Sequence, residues 1–164
     1  MRHIVMVYHT ATGGTAQMIR AAEQGARAAA PGIEVRVVPA EQAVSADVLG
    51  ADGYVFATPE NLAAMAGVMK SFFDRTYYDV LDRVEGRPYL SLICAGSDGR
   101  NTARQIERIA TGWRLKAIAA ACIVHTHAQT AESIRRAKQI GAQDLERCRE
   151  LGATLAAGLD LGIY

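Results

Sequence analysis

Short apolar runs of strand length alternate with longer helical patterns along the whole chain, and this alternation restricts the possible folds more than any other feature. Residues 3–8 (His-Ile-Val-Met-Val-Tyr) form a compact apolar run that ends where small polar residues begin. Residues 15–30 follow as a helix, with Met18, Ala22, Ala26 and Ala29 on one face and Pro31-Gly32 as its stop. Residues 33–38 alternate as a strand with one wet face would, which suits a sheet edge. A weak helix is expected at 41–50, a strand at 53–57 stopped by Thr58-Pro59, and a long helix at 62–74 with Leu62, Met65, Met69, Phe72 and Phe73 at helical spacing. Tyr89 to Ala95 is the most continuous apolar run, the mark of a strand buried on both faces. A Gly-Ser-Asp-Gly turn (Gly96 to Gly99) leads to a helix at 101–113 with Ala103, Ile106, Ala110 and Trp113 inward, and Ala117 to Val124 is the last strand. Helices at 131–139 and 143–158 complete the pattern. Parallel strands need crossovers, which helices make with one hand. An α/β fold follows: five parallel strands with helices on both faces, and a ligand site beyond the carboxyl ends of the strands.

The bulk numbers bound the function. A length of 164 residues suits one domain over 1–164, since domains of about 100–200 residues are usual. Lys+Arg number 18 and Asp+Glu 17, a balance that speaks against a nucleic-acid binder and, less strongly, against an acidic electron shuttle. The apolar run at the N-terminus is too short for a signal peptide, and no stretch reaches the roughly 20 residues of a membrane span. Cys94, Cys122 and Cys148 share no Cys-x-x-Cys spacing and read as buried thiols in a reducing compartment, so a soluble cytoplasmic protein is expected.

The segment Thr10-Ala11-Thr12-Gly13-Gly14-Thr15 joins the first strand to a helix start. Unpaired N–H groups and the positive dipole end can hold a phosphate there without a lysine. Threonines add hydroxyl donors, and glycines permit close backbone approach. Neither Gly-Lys-Ser/Thr nor Gly-x-Gly-x-x-Gly is present, so neither a Walker loop nor a dinucleotide fingerprint is indicated. An ordinary turn with threonine caps is the competing reading of this loop taken alone.

This segment resembles the Ser/Thr-x-Thr-Gly-x-Thr phosphate loop of the flavodoxin family. Thr58-Pro59-Glu60-Asn61-Leu62 through Gly67-Val68-Met69-Lys70-Ser71-Phe72-Phe73-Asp74-Arg75 resembles the matching stretch of flavodoxin-like NAD(P)H:quinone and FMN reductases. The resemblance implies a doubly wound sheet of order 2-1-3-4-5 and bound FMN. Carried over, Thr10, Ala11, Thr12, Gly13, Gly14 and Thr15 hold the FMN phosphate. Thr58, Pro59, Glu60, Asn61 and Leu62 line one edge and face of the ring, and Ala95, Gly96, Ser97, Asp98 and Gly99 form the second ring loop. Flavin carries the redox chemistry, so no side chain need be catalytic. Neither ring loop contains an aromatic residue, which leaves one ring face open for a nicotinamide or a quinone. The expected function is therefore an FMN-dependent NAD(P)H oxidoreductase passing hydride through flavin to a quinone-like acceptor, and the resemblance also implies a homo-oligomer. A non-enzymatic flavodoxin serving a protein partner, and an FMN-binding protein without turnover, are the alternatives.

Other residues have plainer readings. A carboxylate at Asp98 beside the ring would disfavour reduced flavin, whereas the commoner use of Asp-Gly is a turn or cap. His125-Thr126-His127 lacks acidic or cysteine partners at metal spacing, so no metal is expected and these histidines suit the mouth of the site. Lys70 and Asp74 have the spacing of a helix ion pair, with Arg75 structural in the same way. Arg100, Arg104 and Arg108 share a helix face, most simply a solvated one, with Arg100 placed to meet a nicotinamide phosphate.

Overall fold

The computed structural model describes residues 1–164. In chain order it has β1 (His3–Tyr8), α1 (Gly14–Ala29), β2 (Glu34–Pro39), α2 (Ser45–Gly50), β3 (Gly53–Asn61), β4 (Ala64–Met65), α3 (Gly67–Val80), β5 (Pro88–Ala95), α4 (Arg100–Gly112), β6 (Lys116–Ala117), β7 (Cys122–His125), α5 (Ala131–Arg135) and α6 (Ala142–Asp160). The main sheet runs β2-β1-β3-β5 and then β6 with β7, all parallel. This is the expected order, with the fifth position shared by two short strands that both pair with β5.

Alternation along the inner strands splits the core in two. Ile4, Met6, Val55, Ala57, Leu90 and Leu92 point to the side covered by α1 and α6. Val5, Val7, Tyr54, Phe56 and Tyr89 point to the side of α2, α3 and α4, where Phe72, Phe73 and Trp113 complete an aromatic cluster. All eight residues of β5 are buried, as its unbroken apolar run demands, and β2 takes the edge its alternating pattern indicates. Helices α1 and α6 meet backbone to backbone: a Cβ on Gly25 would stand 1.9 Å from the carbonyl oxygen of Arg149, and one on Gly152 2.0 Å from that of Ala22. This close approach locks the second half of α1 against α6, and the threonine-glycine loop leads into the opposite end of the same helix.

Four elements depart most from the sequence pattern. The helix expected at 62–74 begins at Gly67, because β3 runs on to Asn61 and turns back through β4 in a small antiparallel hairpin. Leu62 is thus on a turn, not on a helical face. Its apolar spacing to Met65 mimicked a helix, yet backbone pairing of Glu60 with Met65 and Asn61 with Ala64 prevails locally. The last strand is interrupted between Ala117 and Cys122, on the open edge of the sheet where no neighbour enforces continuity. The helix expected over 131–139 ends at Arg135, and the ammonium of Lys138 bonds the carbonyls of Ser133, Ile134 and Arg136 just beyond it. Ile106, Ala110 and Trp113 are buried as expected of α4, and only at its first turn does Thr102 take the inner position in place of Ala103, which is half-buried.

Candidate functional site

Beyond the carboxyl ends of β1, β3, β5 and β7 lies a cleft of about 590 Å³. Its lining comes from three segments around loops that the sequence singles out: Ala11 and Thr12 after β1, Pro59 to Ala63 at the hairpin, and Cys94 to Ser97 at the end of β5. Thr126, Ala128, Gln129, Ile134, Arg135 and Lys138 form a fourth wall. Of the expected site residues, Ala11, Thr12, Pro59, Glu60, Asn61, Leu62, Ala95, Gly96 and Ser97 line this cleft. Thr10, Gly13, Gly14, Thr15, Thr58, Asp98 and Gly99 stand behind it. Of this wall the sequence points only to the 125–127 segment, which contributes Thr126, while neither His125 nor His127 lines the cleft. The rest carries no signal beyond the basic run Arg135, Arg136 and Lys138 after the last strand, which reads as ordinary helix surface.

At one end of the cleft the β1–α1 loop presents donors with nothing to bond. Thr10 Oγ1 accepts from the amides of Gly13 (3.1 Å) and Ala16 (3.4 Å), which curls the loop around its own hydroxyl. Gly13 takes the left-handed conformation (φ 91°) that glycine adopts at no steric cost. The amides of Ala11, Thr12, Gly14 and Thr15 donate to no protein acceptor. Thr15 is 1% exposed, and its Oγ1 has no partner. Buried polar groups without partners are rare and call for a specific account. Free amides at a helix start, a buried orphan hydroxyl and the helix dipole together match the needs of a phosphate dianion.

The loop is braced from behind. Gln17 bonds the backbone of the segment after α5 at both ends of its amide, donating to the carbonyl of Lys138 (2.8 Å) and accepting from the amide of Ile140 (3.0 Å). The amide of Lys138 donates to the carbonyl of Thr12. Cys94 packs directly beneath, so that a Cβ on Gly14 would fall 2.6 Å from its Sγ. Burial pushes the Cys94 thiol up, an effect that nearby Lys138 partly offsets.

The opposite side is the hairpin, held by α4. Glu60 spans the two ring loops expected from the sequence: Oε1 accepts from the amide of Gly99 (2.9 Å) and Oε2 from the hydroxyl of Thr102 (3.0 Å). Thr58 Oγ1 accepts from the amide of Ala66, Gln105 Oε1 accepts from that of Met65, and Asn101 donates to the carbonyl of Ala63. Asp98 points away from the cleft lining and pairs with Arg100 (Oδ1 to Nε, 2.7 Å). The Arg100 guanidinium and amide hold the Asp98 carboxyl below the usual range. His125 Nε2 donates to the carbonyl of Asp98 at 2.8 Å, with the His127 ring 6.1 Å from its own. Lys70 and Asp74 form the expected ion pair, whereas Arg75 bonds the carbonyls of Ala40 and Ala43 and so steadies the turn after β2.

A model of the NADPH-dependent FMN reductase family matches residues 36–132, more than half of the chain. The chain belongs to this family. The part of this FMN reductase family member that matches contains both expected ring loops and lies outside the β1–α1 loop. A flavodoxin of Aquifex aeolicus is 32% identical over 99 residues, covering 60% of this chain and 53% of that protein. An NAD(P)H dehydrogenase (quinone) of Acidithiobacillus ferrooxidans is 31% identical over 96 aligned residues, covering 46% of this chain and 48% of that protein. The chain thus spans about half the length of the curated relatives it matches. Among solved structures, an archaeal flavodoxin superposes with a TM-score of 0.77 at 16% identity over 96% of this chain and 99% of that one. A WrbA-like flavodoxin from Agrobacterium tumefaciens gives 0.73 at 18% identity over 98% and 99%. These likenesses establish the flavodoxin-like fold.

Proposed function

We propose that residues 1–164 form one flavin-binding domain, an FMN-dependent NAD(P)H oxidoreductase that passes two electrons to a quinone-like acceptor. The observation that carries this reading is the buried Thr15 hydroxyl left without a partner beside four free amides, at the end of a cleft whose size falls in the range of small-molecule sites. The Ala11, Thr12, Gly14 and Thr15 amides and the Thr15 hydroxyl would bond the FMN phosphate. The segments 59–61 and 95–97 would bracket its ring, with Leu62 beyond them at the solvent edge. FMN, when bound, supplies the hydride chemistry between nicotinamide and acceptor. The protein's own part is placement. Glu60 holds the two ring loops at a fixed spacing, and the buried Cys94 and Ala95 at the cleft's floor would keep water from a bound ring. Of the charged side chains lining the cleft, Glu60 is engaged with the Gly99 amide and Thr102, Lys138 with three carbonyls, and Arg135 is exposed at the solvent edge.

Membership in the reductase family and the similarity to a quinone dehydrogenase support turnover. No helix is long and apolar enough to cross a membrane. A homo-oligomeric protein of the cytoplasm is part of the same proposal, testable by light scattering and by fractionation. The deciding experiment is titration of the purified protein with FMN, followed by anaerobic NADPH and then a naphthoquinone. The expected result is quenching of flavin fluorescence, bleaching by NADPH and recovery of colour on quinone addition. Protein that takes up no FMN overturns the reading. The similarity to a flavodoxin favours a second reading, an electron carrier for a protein partner. A stable semiquinone on photoreduction, without NADPH oxidation, would select it.

A further inference from the structure

The hairpin between β3 and β4 carries two residues that the folded chain has no internal reason to keep. Glu60 pairs with Met65 and Asn61 with Ala64, so Leu62 and Ala63 are the two central residues of the turn. Both take positive φ, 50° and 62°. Turns of this kind favour Asn-Gly, because Cβ crowds the following carbonyl oxygen in the left-handed region, a penalty that glycine escapes and that asparagine offsets with local hydrogen bonds. The strain persists because Asn101, Gln105 and Glu60 pin the hairpin to α4 and its preceding turn. Leu62 is also 101% exposed, with no apolar neighbour over its side chain. A leucine here therefore costs the free protein twice, in backbone strain and in exposed apolar surface. Strain of this sort, held by the surrounding structure, points towards function.

Burial divides the cleft into a floor and a rim. Cys94 (8% exposed) and Ala95 (1%) belong to the floor, where a ring held by the expected loops would rest. Leu62 and Ile134 (53% exposed) line the same cleft from two different walls, and both stand at its solvent edge. Rim residues reach what is laid over a ring on the floor, and these two are apolar. We propose that Leu62, together with Ile134, grips the planar apolar ring of the acceptor, making Leu62 a specificity-determining residue for ring-bearing acceptors over small hydrophilic ones. This inference rests on the flavin oxidoreductase reading.

Leu62→Gly and Leu62→Asn in FMN-loaded protein separate the possibilities, since both replacements suit a left-handed turn. Three quantities are measured: the melting temperature, the FMN dissociation constant, and the dissociation constant of a naphthoquinone for the oxidised protein by calorimetry. The expected result is an unchanged or higher melting temperature, an FMN constant within about twofold, and quinone binding weakened about tenfold, the order expected for losing a buried leucine contact. In turnover, the quinone KM rises by a larger factor than the KM for ferricyanide. A parallel loss of FMN affinity would assign Leu62 to the flavin and overturn the proposal. Unaltered quinone binding, no quinone binding by the parent protein, or a lowered melting temperature in both variants would also overturn it. Absence of NADPH oxidation by the parent protein that nevertheless binds quinone would instead defeat the reductase reading and leave the rim contact standing.

Discussion

The two sides of the cleft solve the same task, presenting a loop at a strand end, by opposite means. The β1–α1 loop uses glycine where the backbone turns left-handed, at Gly13, and caps itself with its own Thr10. The β3–β4 hairpin has no glycine: Leu62 and Ala63 take the same region under strain, and side chains from distant α4 hold them there. One loop is locally determined and leaves amides and a hydroxyl unbonded. The other is imposed from outside and leaves an apolar side chain unburied. Each side keeps a group that is unfavourable in the free protein, which is the pattern expected where stability is traded for binding.

The locally determined side breaks most sharply at Gly14. Gly14→Ala drives a methyl into Cys94 Sγ, 2.6 Å from the ideal Cβ, and is expected to cost about 1–3 kcal/mol of stability, as overpacking of a filled interior does. FMN affinity should fall by more than tenfold as the free amides shift. Combining it with Cys94→Ala should recover part of the stability, and a double-mutant cycle by urea unfolding reads the coupling. Strictly additive effects would show that the loop does not rest on Cys94.

Thr15→Val comes next and tests the orphan hydroxyl directly. Removing a buried hydroxyl that bonds nothing removes a desolvation cost of about 1–3 kcal/mol, so stability without ligand should hold or rise. FMN binding should weaken about tenfold, the worth of roughly 1.4 kcal/mol from one lost hydrogen bond to a phosphate. A less stable variant that binds FMN normally would mean that the hydroxyl has a partner within the protein.

On the imposed side, Glu60→Ala should lower stability by about 1 kcal/mol through loss of the bonds to Gly99 and Thr102, and Glu60→Gln should recover most of it. Limited proteolysis adds a local readout, with cleavage appearing at 61–64 in Glu60→Ala alone. Protection of that hairpin in the alanine variant would shift the credit to Asn101 and Gln105.

The same contrast explains what could be read from the sequence. The alternation of strands and helices, the edge position of β2 and the burial of β5 follow from apolar periodicity, which each strand displays within its own residues, whereas the sheet order follows from the resemblance to the flavodoxin family. The β1–α1 loop was legible because its threonines and glycines act on their immediate neighbours. The hairpin was not: Leu62, Met65 and Met69 have helical spacing, and the bonds that override it come from Gly99, Asn101, Thr102 and Gln105, some forty residues on. Arg135 and Lys138 join the cleft only because Gln17 draws the segment after α5 against the β1–α1 loop, a contact spanning more than a hundred positions. Non-local hydrogen bonds leave no period in a sequence.

The smallest expected effect concerns Asp98, beside the Gly99 amide that Glu60 holds. Its charge would disfavour reduced flavin if it faced the ring. In the fold, its carboxylate is exposed, turned to Arg100 and outside the cleft lining, so solvent and the guanidinium both screen it. Because Arg100 lowers its pKa, Asp98 stays ionised at every pH above the ordinary aspartate value of about 3.9, and the ion pair weakens only as the pH falls through the lowered value. Activity between pH 5 and 8 should therefore carry no step from this group, and Asp98→Asn should leave the flavin midpoint potential unchanged in spectroelectrochemical titration. A higher potential in that variant would mean that the turn after β5 swings its carboxylate towards bound flavin. The Glu60 bond to Gly99 would then fail to fix that loop, and the hairpin side of the cleft would be less rigidly imposed than its hydrogen bonds indicate.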